Sequence, residues 1–204
     1  MRCIGLSERQ QGGIFMKTQK KMSTQTLVLA AVLTALVIVL QFVGAFVKFG
    51  PFSISLVLVP IVIGASTCGY KIGAWLGFVF GAVVLLNGDA AAFLAVNPLG
   101  TVITVIAKGT LCGLLAGTTY KVLQKYNKIL SVVCAAIVCP LVNTGVFLIG
   151  CMLFFMPTII QWAGDKSAIE YIIFVLVGGN FLFELATNIV LSPVIVRLLN
   201  IRNK

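Results

Sequence analysis

From about Tyr171 to Leu199 the chain is apolar over a length that suffices to cross a bilayer, and within that run stand Asn180, Glu184 and Asn188. On a helix these three fall at i, i+4 and i+8, so they form one polar stripe about 12 Å long. A carboxylate and two amides are costly in hydrocarbon. The stripe must therefore face a protein interior, where polar partners or a ligand meet it, and the rest of the chain must enclose it.

The composition agrees. Only 10% of the 204 residues are charged and 60% are hydrophobic, whereas a soluble domain carries roughly a quarter charged. The net charge of +10 does not point to nucleic acid, because the basic residues sit at the ends and in short loops between apolar runs. No histidine is present, and the six cysteines have no metal-ligand spacing, so neither a metal site nor a cofactor is expected. Without histidine no Ser/His or Cys/His constellation can be built, and the chain has no GxxxxGK[ST] phosphate loop. An intramembrane enzyme is therefore not expected.

Residues 1–25 read as a basic N-terminal tail and 26–204 as a single transmembrane domain. Gly12-Gly13-Ile14-Phe15-Met16 is what a purine-rich GGAGG run a few bases before an ATG encodes. One reading makes Met16 the natural start, with residues 1–15 a translated ribosome-binding region; the alternative is a disordered basic tail.

Six spans are expected, in an all-α membrane protein: 26–47; 56–67 with Pro60 inside; 72–86; 99–120; 129–155 with Pro140 inside; and 171–199. Gly73, Gly77 and Gly81 in the third and Gly109, Gly113 and Gly117 in the fourth form small faces suited to close helix contact. Gly50 and Pro51 argue for a loop before the second span, followed by a short extended piece near Ser53–Ser55. Residues 87–98 and 156–168 read as connecting loops, the first with an apolar middle that dips into the protein.

Six spans place both termini on one side. Beyond residue 15, that side carries ten cations (Lys17, Lys20, Lys21, Lys71, Lys121, Lys125, Lys128, Arg197, Arg202, Lys204) and the other only Lys48 and Lys166. The termini are thus expected in the cytoplasm.

Lys108 in the fourth span and Glu184 in the sixth are the two charges inside the membrane. One reading is an ion pair that locks the bundle; the other is contact with a ligand. Asn143, Thr144 and Asn180, nearer the outer ends of their helices, and Asn97 at the mouth of the fourth span are further candidate substrate-binding groups. Aromatic residues of the outer loops suit either an interfacial belt or a lid.

Together these pieces resemble the substrate-binding S components of energy-coupling factor (ECF) vitamin transporters, in particular the riboflavin, folate and pantothenate group. The resemblance covers residues 26–199. It rests on Ala31-x-x-x-Ala35, on Gly50-Pro51-Phe52 before a proline-bearing helix, and on Asn97-Pro98. It rests also on Ala107-Lys108-Gly-x-x-x-Gly113-x-x-x-Gly117, Val142-Asn143-Thr144 and Asn180-x-x-x-Glu184-x-x-x-Asn188. The resemblance implies a high-affinity subunit of the bacterial cell membrane that captures a vitamin-like small molecule from outside. A transmembrane coupling protein and two ATP-binding-cassette ATPases would then drive uptake. It implies that Ala31 and Ala35 touch the coupling protein and that the Gly50–Phe52 loop acts as a gate. A carboxylate vitamin such as pantothenate or folate would suit Lys108, whereas riboflavin would rely on aromatics and amides. The alternative is a stand-alone proton- or sodium-coupled transporter titrating Glu184, against which counts the lack of an inverted repeat.

Overall fold

The computed structural model describes residues 23–45, 48–49, 52–53, 56–164 and 167–202. The N-terminal tail, Gly50, Pro51, Asp165 and Lys166 lie outside the described residues, so the start-site and most of the gate expectations do too.

The architecture is helical. Helix α1 (Thr24–Ala45) is followed by a two-residue antiparallel ladder that pairs Lys48 with Ser53 and Phe49 with Phe52. Then come α2 (Leu58–Cys68), α3 (Tyr70–Leu86), the short α4 (Ala91–Val96), α5 (Pro98–Leu123) and α6 (Lys128–Gly150). A π-helical segment (Cys151–Phe155) runs on into α7 (Met156–Ala163). After α8 (Ala168–Tyr171), a second π-helical segment (Ile172–Gly178) leads into α9 (Gly179–Arg202).

Among the described residues, four stretches are long and apolar enough to cross a membrane: Thr24–Gly44, Pro98–Leu123, Lys128–Ala163 and Ala168–Asn200. α2 and α3 are shorter apolar helices. Their outer faces are bare hydrocarbon, as at Val32 on α1 (58% exposed) and Val190 on α9 (72%). This is the surface a lipid-facing bundle presents.

Local chemistry explains the boundaries. Gly69 between α2 and α3 has φ +95°, and Gly88 after α3 has φ +84°, a region L side chains avoid. Asn97 is extended and caps α5 by accepting the Gly100 N–H at 3.0 Å, with Pro98 following it. Asn127 caps α6 by accepting from Ile129 and Leu130.

The tightest packing joins α3 to α5, and it joins the two glycine faces. They run antiparallel, Gly73 against Gly113, Gly77 against Gly109 and Gly81 against Val105. A β-carbon at Gly73 would stand 2.6 Å from the Gly113 carbonyl oxygen, and one at Gly81 2.8 Å from that of Val105. α6 covers the other side of α5, α9 packs on α6, and α1 and α2 close the bundle. The main core lies among them, with Val37, Ile61, Leu76, Cys112, Ala136 and Ile195 wholly buried.

Two loop expectations need correction. Residues 87–98 contain α4, whose Phe93 is 5% exposed, so the apolar middle does enter the protein. Residues 156–168 are largely helical, because Ile159 and Ala163 at i and i+4 are buried on one face of α7. Phe93, Cys151, Phe155, Ile159 and Ile172 form a second, smaller core at this end of the bundle.

Candidate functional site

The second core roofs a cavity lined by side chains of α1, α3, α4, α5, α6 and α9. It opens at the end of the bundle where α1, α3 and α6 finish and α5 and α9 begin. Phe80 of α3, Phe93 of α4, and Phe147 and Phe155 beyond them give it aromatic walls. Phe93 meets Phe155 edge-on at 4.9 Å, Phe147 at 5.7 Å and Trp162 at 5.5 Å. Edge-to-face contacts of this kind favour one mutual orientation of the rings and so help to shape these walls.

The polar floor centres on Glu184, which is 1% exposed. Asn180, one turn earlier on α9, donates through Nδ2 to Glu184 Oε1 at 3.1 Å. Asn143 of α6, 5% exposed, donates through Nδ2 to Glu184 Oε2 at 3.4 Å. The carboxylate thus ties α9 to α6 through Asn143 and holds the Asn180 amide of its own helix. The third member of the stripe, Asn188, is fully buried and turns back to its own helix, donating to the Glu184 carbonyl at 2.8 Å. It does not line the cavity.

Lys108 lines the same cavity as Glu184. Its ammonium lies over the rings of Phe147 at 5.3 Å and Phe80 at 5.7 Å, which gives a partly desolvated cation some electrostatic stabilisation. Thr144 is half-buried on a small adjoining recess that shares Lys108, Asn143, Phe147 and Asn180 with the cavity.

Lys108, Asn143, Thr144, Asn180 and Glu184 are therefore gathered in one place. Asn97 is not: its side-chain oxygen caps α5, and it is absent from the cavity lining. Ala31 and Ala35 are exposed on α1, away from this site. Phe52 stands in the short ladder; Gly50 and Pro51 lie outside the described residues.

Several lining groups escaped the sequence reading. Gln41 of α1 is 2% exposed and donates through Nε2 to Asp89 Oδ2 at 2.8 Å. Asn87 donates to the same oxygen at 2.8 Å, so the end of α1 is tied to the α3–α4 turn. Thr101 and Thr104 of α5 also line the cavity. Gln41 left a signal, being the one amide in an otherwise apolar first span. Asp89 and the threonines left none, since loop acids and helix threonines are common. Among the described residues no cluster of three or more metal-binding side chains occurs.

Residues 25–199 match the family described as "ECF transporter, substrate-specific component". Among solved structures, the chain is similar to that of ThiT from Listeria monocytogenes. The TM-score is 0.62 at 20% identity, over 84% of this chain and 93% of that one. At that identity the likeness is one of fold. No curated protein matches the sequence.

Proposed function

Because this chain belongs to the family of substrate-specific components of ECF transporters, we propose that it is the membrane subunit that captures a water-soluble, vitamin-like molecule from outside. A transmembrane coupling protein and two ABC ATPases then use ATP to carry it inward. In this reading the bundle has six spans, with α2 and α3 as the short pair, and both termini lie in the cytoplasm, a placement that the ten-to-two distribution of cations supports. The cavity then opens outward.

One observation carries the reading. The Glu184–Asn143–Asn180 cluster and Lys108 converge on a single aromatic-walled cavity, instead of being scattered as separate helix locks. The small exposed face at Ala31 and Ala35 supports the coupling partner, since small residues four apart let another helix approach closely.

The test separates capture from coupling. Ala31→Trp with Ala35→Trp should abolish uptake in cells expressing the coupling protein and ATPases. Solute binding and the melting temperature of the isolated protein should stay at parent values. Uptake without any coupling subunits would instead establish a stand-alone carrier.

A further inference from the structure

The cavity's amides have a fixed polarity. An ionised carboxylate has no donor, so Asn143 and Asn180 must turn their Nδ2 groups toward Glu184, as they do at 3.4 and 3.1 Å. Each Oδ1 is then left over, and both are buried without a hydrogen-bond partner. Thr104 Oγ1, on the same cavity, is buried and unpartnered as well. Ser66, Thr110 and Asn188 also hold buried oxygens without partners, but none of them lines the cavity. Lack of a partner is therefore not the signal by itself; convergence on one cavity is.

We infer that the cavity selects a flat aromatic solute whose edge presents N–H donors to Asn143 Oδ1 and Asn180 Oδ1, and that it rejects a carboxylate or other acceptor group at that edge. The inference rests on reading the cavity as the substrate site. Two buried acceptors facing an acceptor would leave three oxygens desolvated and unpaired, whereas two N–H groups satisfy both at once. The aromatic walls of Phe80, Phe93 and Phe147 fit a ring better than a flexible chain. Lys108 does not reverse the preference, because Asp89 and Glu184 line the same cavity and the ionisable lining holds two carboxylates to one ammonium. The anionic vitamins that Lys108 alone would favour are thus the less suited class.

The probes are 2-aminobenzimidazole and benzimidazole-2-carboxylate, which share a ring and differ at one edge in donor or acceptor character and in charge, with the neutral methyl ester of the latter as the control for charge. Each is titrated against the full chain in detergent, with the melting temperature as readout. At ten times its dissociation constant the amine should raise the melting temperature by about 3–6 °C, and the carboxylate should not. Thr104→Val removes one unpartnered oxygen at constant shape. It should leave the unliganded melting temperature unchanged or higher and weaken the amine about three- to tenfold. A shift from the carboxylate equal to the amine's or larger, or no shift from either, overturns the inference. A carboxylate shift that Asn180→Ala abolishes overturns the donor preference alone and keeps the site. An amine shift that persists undiminished in Asn180→Ala overturns site and preference together.

Discussion

The α3–α5 seam and the cavity above it are built from the same helix in opposite ways. Along the seam, Gly73, Gly77 and Gly81 meet Gly113, Gly109 and Val105, backbone to backbone, with no room for a methyl group. On another face of the same helix, Thr101, Thr104 and Lys108 line the cavity. The seam is closed by backbone contact, whereas the cavity lining holds buried oxygens without partners. The contrast shows how a chain this short combines rigidity with binding: close packing in one half holds the other half open.

Filling the seam is the harshest way to break this division. Gly109→Leu puts a side chain into the Gly77 carbonyl, which cannot move without shifting α3. Overpacking costs about 1–3 kcal/mol where side chains can yield, and here the obstacle is backbone. The variant should fail to give monodisperse protein on size exclusion. Gly109→Ala should fold with a markedly lowered melting temperature and, once folded, near-parent affinity. If Gly109→Leu folds normally, the seam is not the fixed half.

Removing the central charge should come next. In Glu184→Gln the new side-chain amide has one acceptor and one donor end, so Asn143 and Asn180 can both be satisfied only if one of them turns its own amide over. The substitution should cost about 1–3 kcal/mol of stability, read as a lower melting temperature, and weaken the solute at least about tenfold. Adding Lys108→Met removes the cation that the carboxylate helps to balance and should restore much of the stability. Binding returns with it only if Lys108 does not touch the solute. If Glu184→Gln melts and binds like the parent, the carboxylate does not organise the cavity.

Asn180→Ala is milder for the fold and direct for the site. Asn180 is half-buried, and its loss leaves Glu184 the bond from Asn143. Losing one buried hydrogen-bond partner costs about 1–3 kcal/mol, so affinity should fall roughly ten- to a hundredfold in a solute titration. Parent affinity would move the binding site out of this cavity.

The rigid half was the more legible in sequence. Glycines at four-residue spacing on two apolar runs have few uses other than helix contact, and the two faces that spacing predicts are the two that meet. The polar stripe was legible for a similar reason, because amides and a carboxylate in hydrocarbon require partners. The rest of the cavity was not. α4 is six residues long and α7 eight, too short for periodicity to separate a buried helix from a loop. Gln41 and Asp89 are brought together by a contact across 48 positions, which no local pattern encodes. The fate of Asn97 was ambiguous in sequence because an asparagine before proline serves equally as a helix cap or as a ligand at a cavity mouth.

Asn97 therefore supplies the smallest and sharpest test of where the two halves divide. Its side chain accepts the Gly100 N–H at 3.0 Å, and its backbone carbonyl accepts from Thr101 N at 3.0 Å and Thr101 Oγ1 at 2.8 Å. Only the first of these bonds depends on the side chain. Asn97→Ala should remove one cap, worth about 1 kcal/mol, and lower the melting temperature by about 2–4 °C for a chain of this size. Asn97→Asp keeps an acceptor at the cap and should hold the parent value. Neither change should alter solute affinity, since the residue does not line the cavity. A drop in affinity of more than about fivefold in both variants, a change that about 1 kcal/mol of lost contact would produce, would make Asn97 a ligand after all. The cavity lining would then reach one turn beyond Thr101 to the cap of α5.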